Sequence, residues 1–108
     1  MTADRSGELE RSRDRTPVVR FDWDPRKALA NRRKHGVGFA EAVTAFSDPL
    51  SITIDDPDHS VDEDRFILIG HATGAGIVVV VHTFRADVVR VISARVASRR
   101  ERETYEAS

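Results

Sequence analysis

Apolar side chains come in short runs between residues 18 and 96, and their spacing changes along the chain. Residues 18–21 are largely apolar and predict a short first strand. Residues 39–46 place apolar side chains at i, i+3, i+4 and i+7, which predicts a second, short helix that buries one stripe. These apolar positions are Phe39, Ala42, Val43 and Phe46.

The second half of the chain has the pattern of β-strands. Strands are predicted at residues 51–54, 65–71, 77–84 and 88–96, with a turn at residues 74–76. Four consecutive valines, Val78 to Val81, indicate a strand that is buried on both faces and therefore central. Because only Arg85, Ala86 and Asp87 separate the last two strands, an antiparallel hairpin is predicted there.

Capping signals delimit two further helices. Asp24 and Pro25 favour a helix start and Gly36 favours an end, so a helix is predicted from Pro25 to His35. Ser98 and Glu101 have capping-box spacing and open a terminal helix that reaches Tyr105. The resulting order predicts an α+β fold: a small antiparallel sheet with two N-terminal helices and a short C-terminal helix.

The 108 residues are enough for one domain. Residues 1–17 hold four acids and four arginines but one leucine. Such a segment buries too little apolar surface to offset its ordering entropy, so a disordered N-terminal tail is predicted. A single domain is then expected over residues 18–108.

Charge is strongly segregated although the net charge is −1. Residues 18–36 carry +4, residues 37–64 carry −8, and residues 65–108 carry +3. One interpretation is that the acidic segment only keeps the protein soluble. The other is a dipolar surface, with a basic face for nucleic acid and an acidic face for a basic partner.

Several classes of function are disfavoured. The chain has no cysteine, which excludes disulfides and thiolate chemistry. No apolar run is long enough to span a bilayer, and the N-terminus lacks a signal-peptide pattern, so a cytoplasmic location is expected. His71 and His82 lack metal-ligand spacing, and we predict neither a metal site nor a cofactor.

The predicted helix at residues 25–35 is rich in polar groups. Lys27, Asn31 and Lys34 share one helical face and His35 borders it. A solvated helix face explains the lysines equally well, and a histidine before a terminal glycine often only complements the helix dipole. Asparagine is a mediocre helix former, so Asn31 needs another reason for its place.

Arginines occupy the last two predicted strands. With Ala86 and Asp87 as the hairpin loop, Arg85 is predicted to pair with Val88 and Thr83 with Arg90. Arg85 and Arg90 are then expected on one face of the sheet, and Arg95 and His82 on the other. A one-residue slip would regroup them. Arg95 is expected to be largely buried and to need an anionic partner, either a phosphate or one of Asp62, Glu63 and Asp64. Exposure on an edge strand is the alternative explanation for these arginines.

Short blocks of residues occur in a characteristic order between residues 21 and 106. They are Phe21-Asp22-Trp23-Asp24, Lys27, Asn31, Lys34-His35-Gly36-Val37, Phe39, Ala42, Phe46, Asp48, Glu63-Asp64-Arg65, Ile69-Gly70, Val79-Val80-Val81, Thr83, Arg85, Arg90-Val91-Ile92-Ser93-Ala94-Arg95 and Glu101-Arg102. Through the order and separation of these blocks the chain resembles the BrnT family, toxins of type II toxin–antitoxin systems. Residues 63–65 and the pair His82-Thr83 depart mildly from the family pattern, and the tail has no counterpart.

The resemblance implies a RelE-like fold and a ribonuclease that inhibits translation. It also implies a ribbon-helix-helix antitoxin, with which the toxin represses its own operon. For metal-independent RNA cleavage we expect five catalytic residues, His35, Glu63, Arg65, Arg85 and Arg95, and four RNA-binding residues, Lys27, Asn31, Lys34 and Arg90. His35 or Glu63 would be the acid or base, and Glu63 has the alternative of pairing with Arg65. A non-catalytic module that binds the antitoxin and controls the operon is the competing interpretation.

Overall fold

The structure, a computed structural model, describes residues 19–57 and 64–108. The tail predicted for residues 1–17 and the candidate residue Glu63 lie outside these ranges. In the described ranges the strands are β1 (Arg20–Asp22), β2 (Ile52–Asp55), β3 (Phe66–Ala72), β4 (Gly76–Arg85) and β5 (Val88–Val96). Each lies within about two residues of its predicted position.

Local capping sets the ends of helix α1 (Pro25–His35). The Asp24 carboxylate accepts a hydrogen bond from the Arg26 N–H (2.8 Å), and Pro25 occupies the first turn, where its missing N–H costs nothing. Gly36 ends the helix at φ 75°, a left-handed conformation that glycine adopts without steric cost. The predicted boundaries of α1 are therefore confirmed.

The second predicted helix is divided in two. Only Phe39–Ala42 is α-helical (α2), and Val43–Ser47 continues as a 3₁₀ helix. The change of pitch keeps Ala45 buried and lets this segment pack closely on β3. Gly70 makes the approach possible, because an added Cβ would lie 2.9 Å from the Ser51 Cβ and 3.0 Å from the Ala45 carbonyl oxygen.

The sheet has five strands in the order β1-β5-β4-β3-β2. The valine-rich strand β4 is the middle one, as its four consecutive valines predicted, and Ala86 and Asp87 form the predicted hairpin loop between β4 and β5. Strands β2 to β5 pair antiparallel, whereas β1 pairs parallel to β5. The fold is thus α+β, with one parallel strand added at the edge.

The helix face is the sheet face that α1, α2 and the 3₁₀ segment cover. It carries Val78, Val80 and His82 of β4 and, across the strand pairs, Leu68 of β3 and Ala94 of β5. These residues pack with the apolar side chains of the helical layer, among them Phe39 and Ala42, to form the main core. Phe21 and Trp23 are half-buried against this core rather than exposed.

The opposite face is only partly covered. Helix α3 (Arg99–Ala107), opened by the predicted capping box of Ser98 and Glu101, places Tyr105 over a small cluster that contains Ile69 and Val79. The part of this face that lies toward the β4–β5 hairpin carries Thr83, Arg85 and Arg90, and no helix of the described ranges lies over it. We call this part the arginine face.

Within the described ranges, no helix combines the length and the apolar character that crossing a membrane requires.

Candidate functional site

A β-bulge in β5 decides which arginines share a face. Arg85 pairs with Val88 and Thr83 with Arg90, as predicted, but the register shifts between Val81 and His82 and leaves Ile92 as an extra residue. Arg95 consequently lies on the same side of the sheet as Arg85 and Arg90. The predicted separation of Arg95 from them was wrong, because strict alternation ignores the extra residue.

Three arginines converge on Thr83. The register of β3 with β4, extended by one residue beyond Phe66 and His82, sets Arg65 opposite Thr83, and Arg90 lies opposite Thr83 on the other side. Arg85 follows two residues later on the same face of β4. The Thr83 hydroxyl donates a hydrogen bond to the Asp64 carbonyl oxygen (2.5 Å), which holds the start of β3 beside β4.

The arginines differ in how their charge is balanced. Arg90 pairs with Asp22 of β1 (3.3 Å), and its side chain is 26% exposed. Arg20, which shares this side of the sheet, pairs with Asp87 (3.1 Å). Arg85 is exposed, and among the described residues it has no ion-pair partner. Arg85 is therefore the arginine of this face that is most available to an external anion.

Arg95 has a partner within the fold. Its two terminal nitrogens each donate to one carboxylate oxygen of Glu101 at 2.7 Å, a bidentate pair that ties α3 to β5. The pair lowers the pKa of Glu101 to about 2 and raises that of Arg95. The predicted burial of Arg95 was wrong, since its side chain is 42% exposed. The carboxylate that pairs with Arg95 in the described ranges is Glu101, which was not among the partners expected.

Asn31 is the buried residue of α1. Its amide group donates to the Ala94 carbonyl (2.7 Å) and the Val37 carbonyl (3.1 Å), and its oxygen accepts from the Ala94 N–H (3.1 Å). With 8% exposure and every polar group engaged, Asn31 has nothing left for RNA. Its predicted RNA contact does not agree with this geometry, which supplies the other reason for an asparagine in the helix.

The other polar side chains of this helical face, Lys27, Lys34 and His35, are called the α1 stripe. Lys27 and Lys34 are exposed and His35 is half-buried. Among the described residues, none of these three side chains has a hydrogen-bond or ion-pair partner. They lie on α1, at the β5 edge of the sheet, so the arginines around Thr83 and the α1 stripe are neighbouring groups rather than one cluster.

His82 has a structural environment. The ring is 1% exposed on the helix face, and Phe46 and Phe84 contact it with centroids at 4.8 and 5.7 Å. Its Nδ1 lies 3.1 Å from the Val80 carbonyl oxygen, so the neutral tautomer with hydrogen on Nδ1 fits. Burial lowers the pKa of His82. This histidine faces away from the arginines.

Sequence reasoning missed three supporting residues. Thr83 was predicted to pair with Arg90 and was recognised in a family block, but it was not expected to lie at the centre of the arginines. Asp22 and Glu101 were recognised as parts of a motif and a capping box, not as partners of arginines. The pairing of β1 with β5 was needed to find Asp22 as the partner of Arg90, and the packing of α3 was needed to find Glu101 as the partner of Arg95.

The fold and the arginine face together define a small α+β protein with a cationic surface on one side of its sheet. Residues 23–101 match the family model described as the ribonuclease toxin BrnT of type II toxin–antitoxin systems. The chain belongs to this BrnT family.

A solved structure supports the family assignment. The crystal structure of the Brucella abortus ribonuclease toxin BrnT superimposes with a TM-score of 0.57, at 28% sequence identity. The alignment covers 76% of this chain and all of the Brucella chain. A comparison with curated proteins found no match. The resemblance found in the sequence, including the α+β fold it implied, is therefore confirmed.

Proposed function

We propose that this protein is a metal-independent endoribonuclease that inhibits translation as the toxin of its toxin–antitoxin pair. The observation that carries the proposal is the convergence of Arg65, Arg85 and Arg90 around Thr83 on a sheet face that no described helix covers. Arginine suits RNA because its planar fork matches two phosphate oxygens at once. Membership of a ribonuclease toxin family agrees with this surface.

Cleavage without a metal places specific demands on the side chains. The 2′-hydroxyl attacks the adjacent phosphorus, the 5′-oxygen leaves, and a 2′,3′-cyclic phosphate forms. Negative charge accumulates on the phosphorane oxygens, and preorganised cations stabilise it most effectively. Arg85, whose charge is not balanced within the described fold, is our first candidate for this role, with Arg65 and Arg90 beside it.

Proton transfer requires a different group. His35 is our proposed acid or base, since imidazole titrates near neutrality and the ring is half-buried at the end of α1. Glu63 stays a second prediction for this role. Arg95, already paired with Glu101, is better suited to positioning than to direct phosphate contact.

The antitoxin is proposed to be a ribbon-helix-helix protein that binds operator DNA in complex with this toxin in the cytoplasm. Acidic antitoxin residues would complement Arg85 and the α1 lysines, and basic ones the acidic segment. One observation favours the competing function, a non-catalytic module for antitoxin binding. Arg90 and Arg95 each have a carboxylate partner inside the protein, Asp22 and Glu101, which reduces the charge available to RNA.

The test of this proposal is incubation of the purified toxin with total RNA in EDTA, with and without its antitoxin. We expect fragments that end in 2′,3′-cyclic phosphates, and protection when the antitoxin is present. Intact RNA, combined with normal growth when the toxin is expressed alone, would instead support the non-catalytic module. Cleavage that EDTA abolishes would contradict metal independence.

Replacement of Arg85 by alanine tests the site itself. We expect Arg85→Ala to reduce cleavage by about 10²-fold, the usual loss when one transition-state donor is removed. Arg85 is exposed, so the free energy of unfolding should change little.

The matched control is Arg100→Ala, which removes an exposed arginine from α3. Initial rates on a defined RNA oligonucleotide check both variants. Equal rates for Arg85→Ala and Arg100→Ala would move the site away from the arginine face.

A further inference from the structure

The outer edge of β5 has two different neighbours along its length. Strand β1 pairs with Val88, Val89 and Arg90 only. Farther along, the side chain of Asn31 takes the place of a strand, because its amide oxygen and nitrogen bind the N–H and carbonyl of the same residue, Ala94. A carboxamide can do this since it presents a donor and an acceptor side by side, as a peptide group does.

The same carboxamide reaches a third segment. Its second N–H binds the Val37 carbonyl oxygen, just after the Gly36 turn that ends α1. Asn31 thus joins α1, the turn after it and β5 in one buried unit. Lys27 lies about one turn before Asn31, and Lys34 and His35 lie about one turn after it. The hydrogen bonds between Asn31 and Ala94 therefore set where these three side chains lie relative to β5.

Ala94, the β5 residue that Asn31 binds, directly precedes Arg95 in the chain. Ala94 packs its side chain in the main core, and the next residue, Arg95, projects from the opposite side of the sheet. The outer edge of β5, where Asn31 binds, is also the boundary between the two faces of the sheet. Helix α1 therefore lies next to the side that carries Arg85, Arg90 and Arg95. The hydrogen bonds of Asn31 with Ala94 therefore hold α1 and β5 together at this edge.

We propose that Asn31 is a positioning residue that holds the cationic stripe of α1 in register with the arginines of β5, so that both bind one RNA strand. The inference rests on the proposed ribonuclease function. Asn31 itself does not touch RNA. Its carboxamide determines how far Lys27, Lys34 and His35 lie from the arginine face.

A positioning role and a purely structural role predict different measurements. If Asn31 only stabilises the fold, its loss lowers the fraction of active molecules without changing how each folded molecule binds. If Asn31 sets the register, the folded variant makes fewer simultaneous phosphate contacts. For single strands, each lost contact reduces the slope of log K against log salt by about 0.7.

The experiment compares Asn31→Ala with Thr44→Val. Thr44 also joins the helical layer to another segment, the turn after β3, because its hydroxyl accepts from the Thr73 N–H (2.7 Å) and donates to the Glu41 carbonyl (2.6 Å), and neither hydrogen bond involves α1 or β5. Asn31→Ser serves as a milder second variant. RNA oligonucleotide binding is titrated at several salt concentrations, and KM and kcat are determined at a temperature at which each variant is folded by circular dichroism.

We expect both Asn31 variants to show a reduced salt slope, by about 1, and a kcat/KM lowered about 10- to 100-fold, as for misplaced catalytic groups. Thr44→Val should keep the slope and KM of the wild type. A wild-type slope and KM in folded Asn31→Ala, or loss of folding in both Asn31 variants, would overturn the positioning role alone. A wild type that neither binds nor cleaves RNA would overturn the ribonuclease function and, with it, this role.

Discussion

At the residue scale, surroundings decide what a polar side chain does. Asn31, which was predicted to bind RNA, and His82 are both buried and hydrogen-bonded to backbone carbonyls. A buried polar group without a partner is costly, so such residues serve the fold first. Arg85 is the contrasting case, an exposed cation whose charge the described fold leaves unbalanced.

His82 gives the protein a pH-dependent stability. Burial lowers its pKa in the folded state relative to 6.5, so below that value the unfolded state binds more protons. The His82 contribution is therefore present above pH 6.5 and is lost as the pH falls through the folded-state pKa. We expect the free energy of unfolding, measured with urea, to decrease between pH 7.5 and pH 5.

The variant His82→Gln should be less stable than the wild type at pH 7.5 but should show a flatter pH dependence. The control His71→Gln changes an exposed histidine on β3 and should keep the wild-type profile. An unchanged slope in His82→Gln would assign the pH dependence to other groups.

At the element scale, the parts that were predictable are those with local chemical signals. Asp24, Pro25 and Gly36 define α1, the capping box of Ser98 defines α3, and consecutive valines define a central strand. The bulge at Ile92 has no such signal, because Val91-Ile92-Ser93 fits either phase of alternation. The parallel pairing of β1 with β5 depends on a contact between distant segments, which no local pattern encodes.

Helix α3 is held across the sheet by two polar contacts. Glu101 binds Arg95 near one end, and near the other the Tyr105 hydroxyl donates to the Asp48 carboxylate (2.6 Å). The second contact lowers the pKa of Asp48 and raises that of Tyr105. The apolar contacts of α3 are few, since the helix has no fully buried residue. Its attachment therefore depends on these charged and hydrogen-bonded groups.

Glu101→Gln should weaken the attachment of α3. The Arg95 side chain is 42% exposed, so solvent screens the pair and we expect a loss of about 1 kcal/mol in the free energy of unfolding at pH 7. Because the pair lowers the folded-state pKa of Glu101 to about 2, its contribution is present above about pH 4.5 and is lost as the pH falls toward 2. The wild type and the variant should therefore converge in acid.

Urea unfolding of both proteins at pH 7 and pH 3 measures this difference. Glu103→Gln provides the comparison, since Glu103 pairs with the highly exposed Arg99 on the same helix. An equal loss in the two variants would show that the bidentate geometry contributes nothing special.

At the scale of the whole molecule, positive and negative charges are segregated while the net charge stays close to zero. The net charge is −1, yet basic residues dominate α1 and the arginine face while an acidic segment separates them in the sequence. Binding of a polyanion depends on local cationic surfaces and not on the overall balance. RNA affinity should therefore follow the position of each charge.

Moving one arginine tests this arrangement. The double variant Arg85→Ser with Ser47→Arg keeps the net charge at −1 and transfers a cation to the exposed end of the 3₁₀ segment. We expect the slope of log K against log salt for RNA binding to fall by about 0.7, as for Arg85→Ser alone. Ser47→Arg alone should keep the wild-type slope. A wild-type slope in the double variant would show that net charge, not arrangement, governs binding.

The extra residue in β5 has a consequence in genetic terms. Side chains alternate regularly between the two faces through residues 88–91 and again through residues 93–96, and Ile92 lies between these two stretches as the extra residue. Deletion of the Ile92 codon would leave Ser93 and Arg95 on the side of the sheet that carries Arg85, and Ala94 in the core, because the residues on either side of Ile92 already pair with consecutive residues of β4. Each substitution in β5 changes one side chain, whereas loss of this one codon would remove the bulge and leave both faces of the strand as they are.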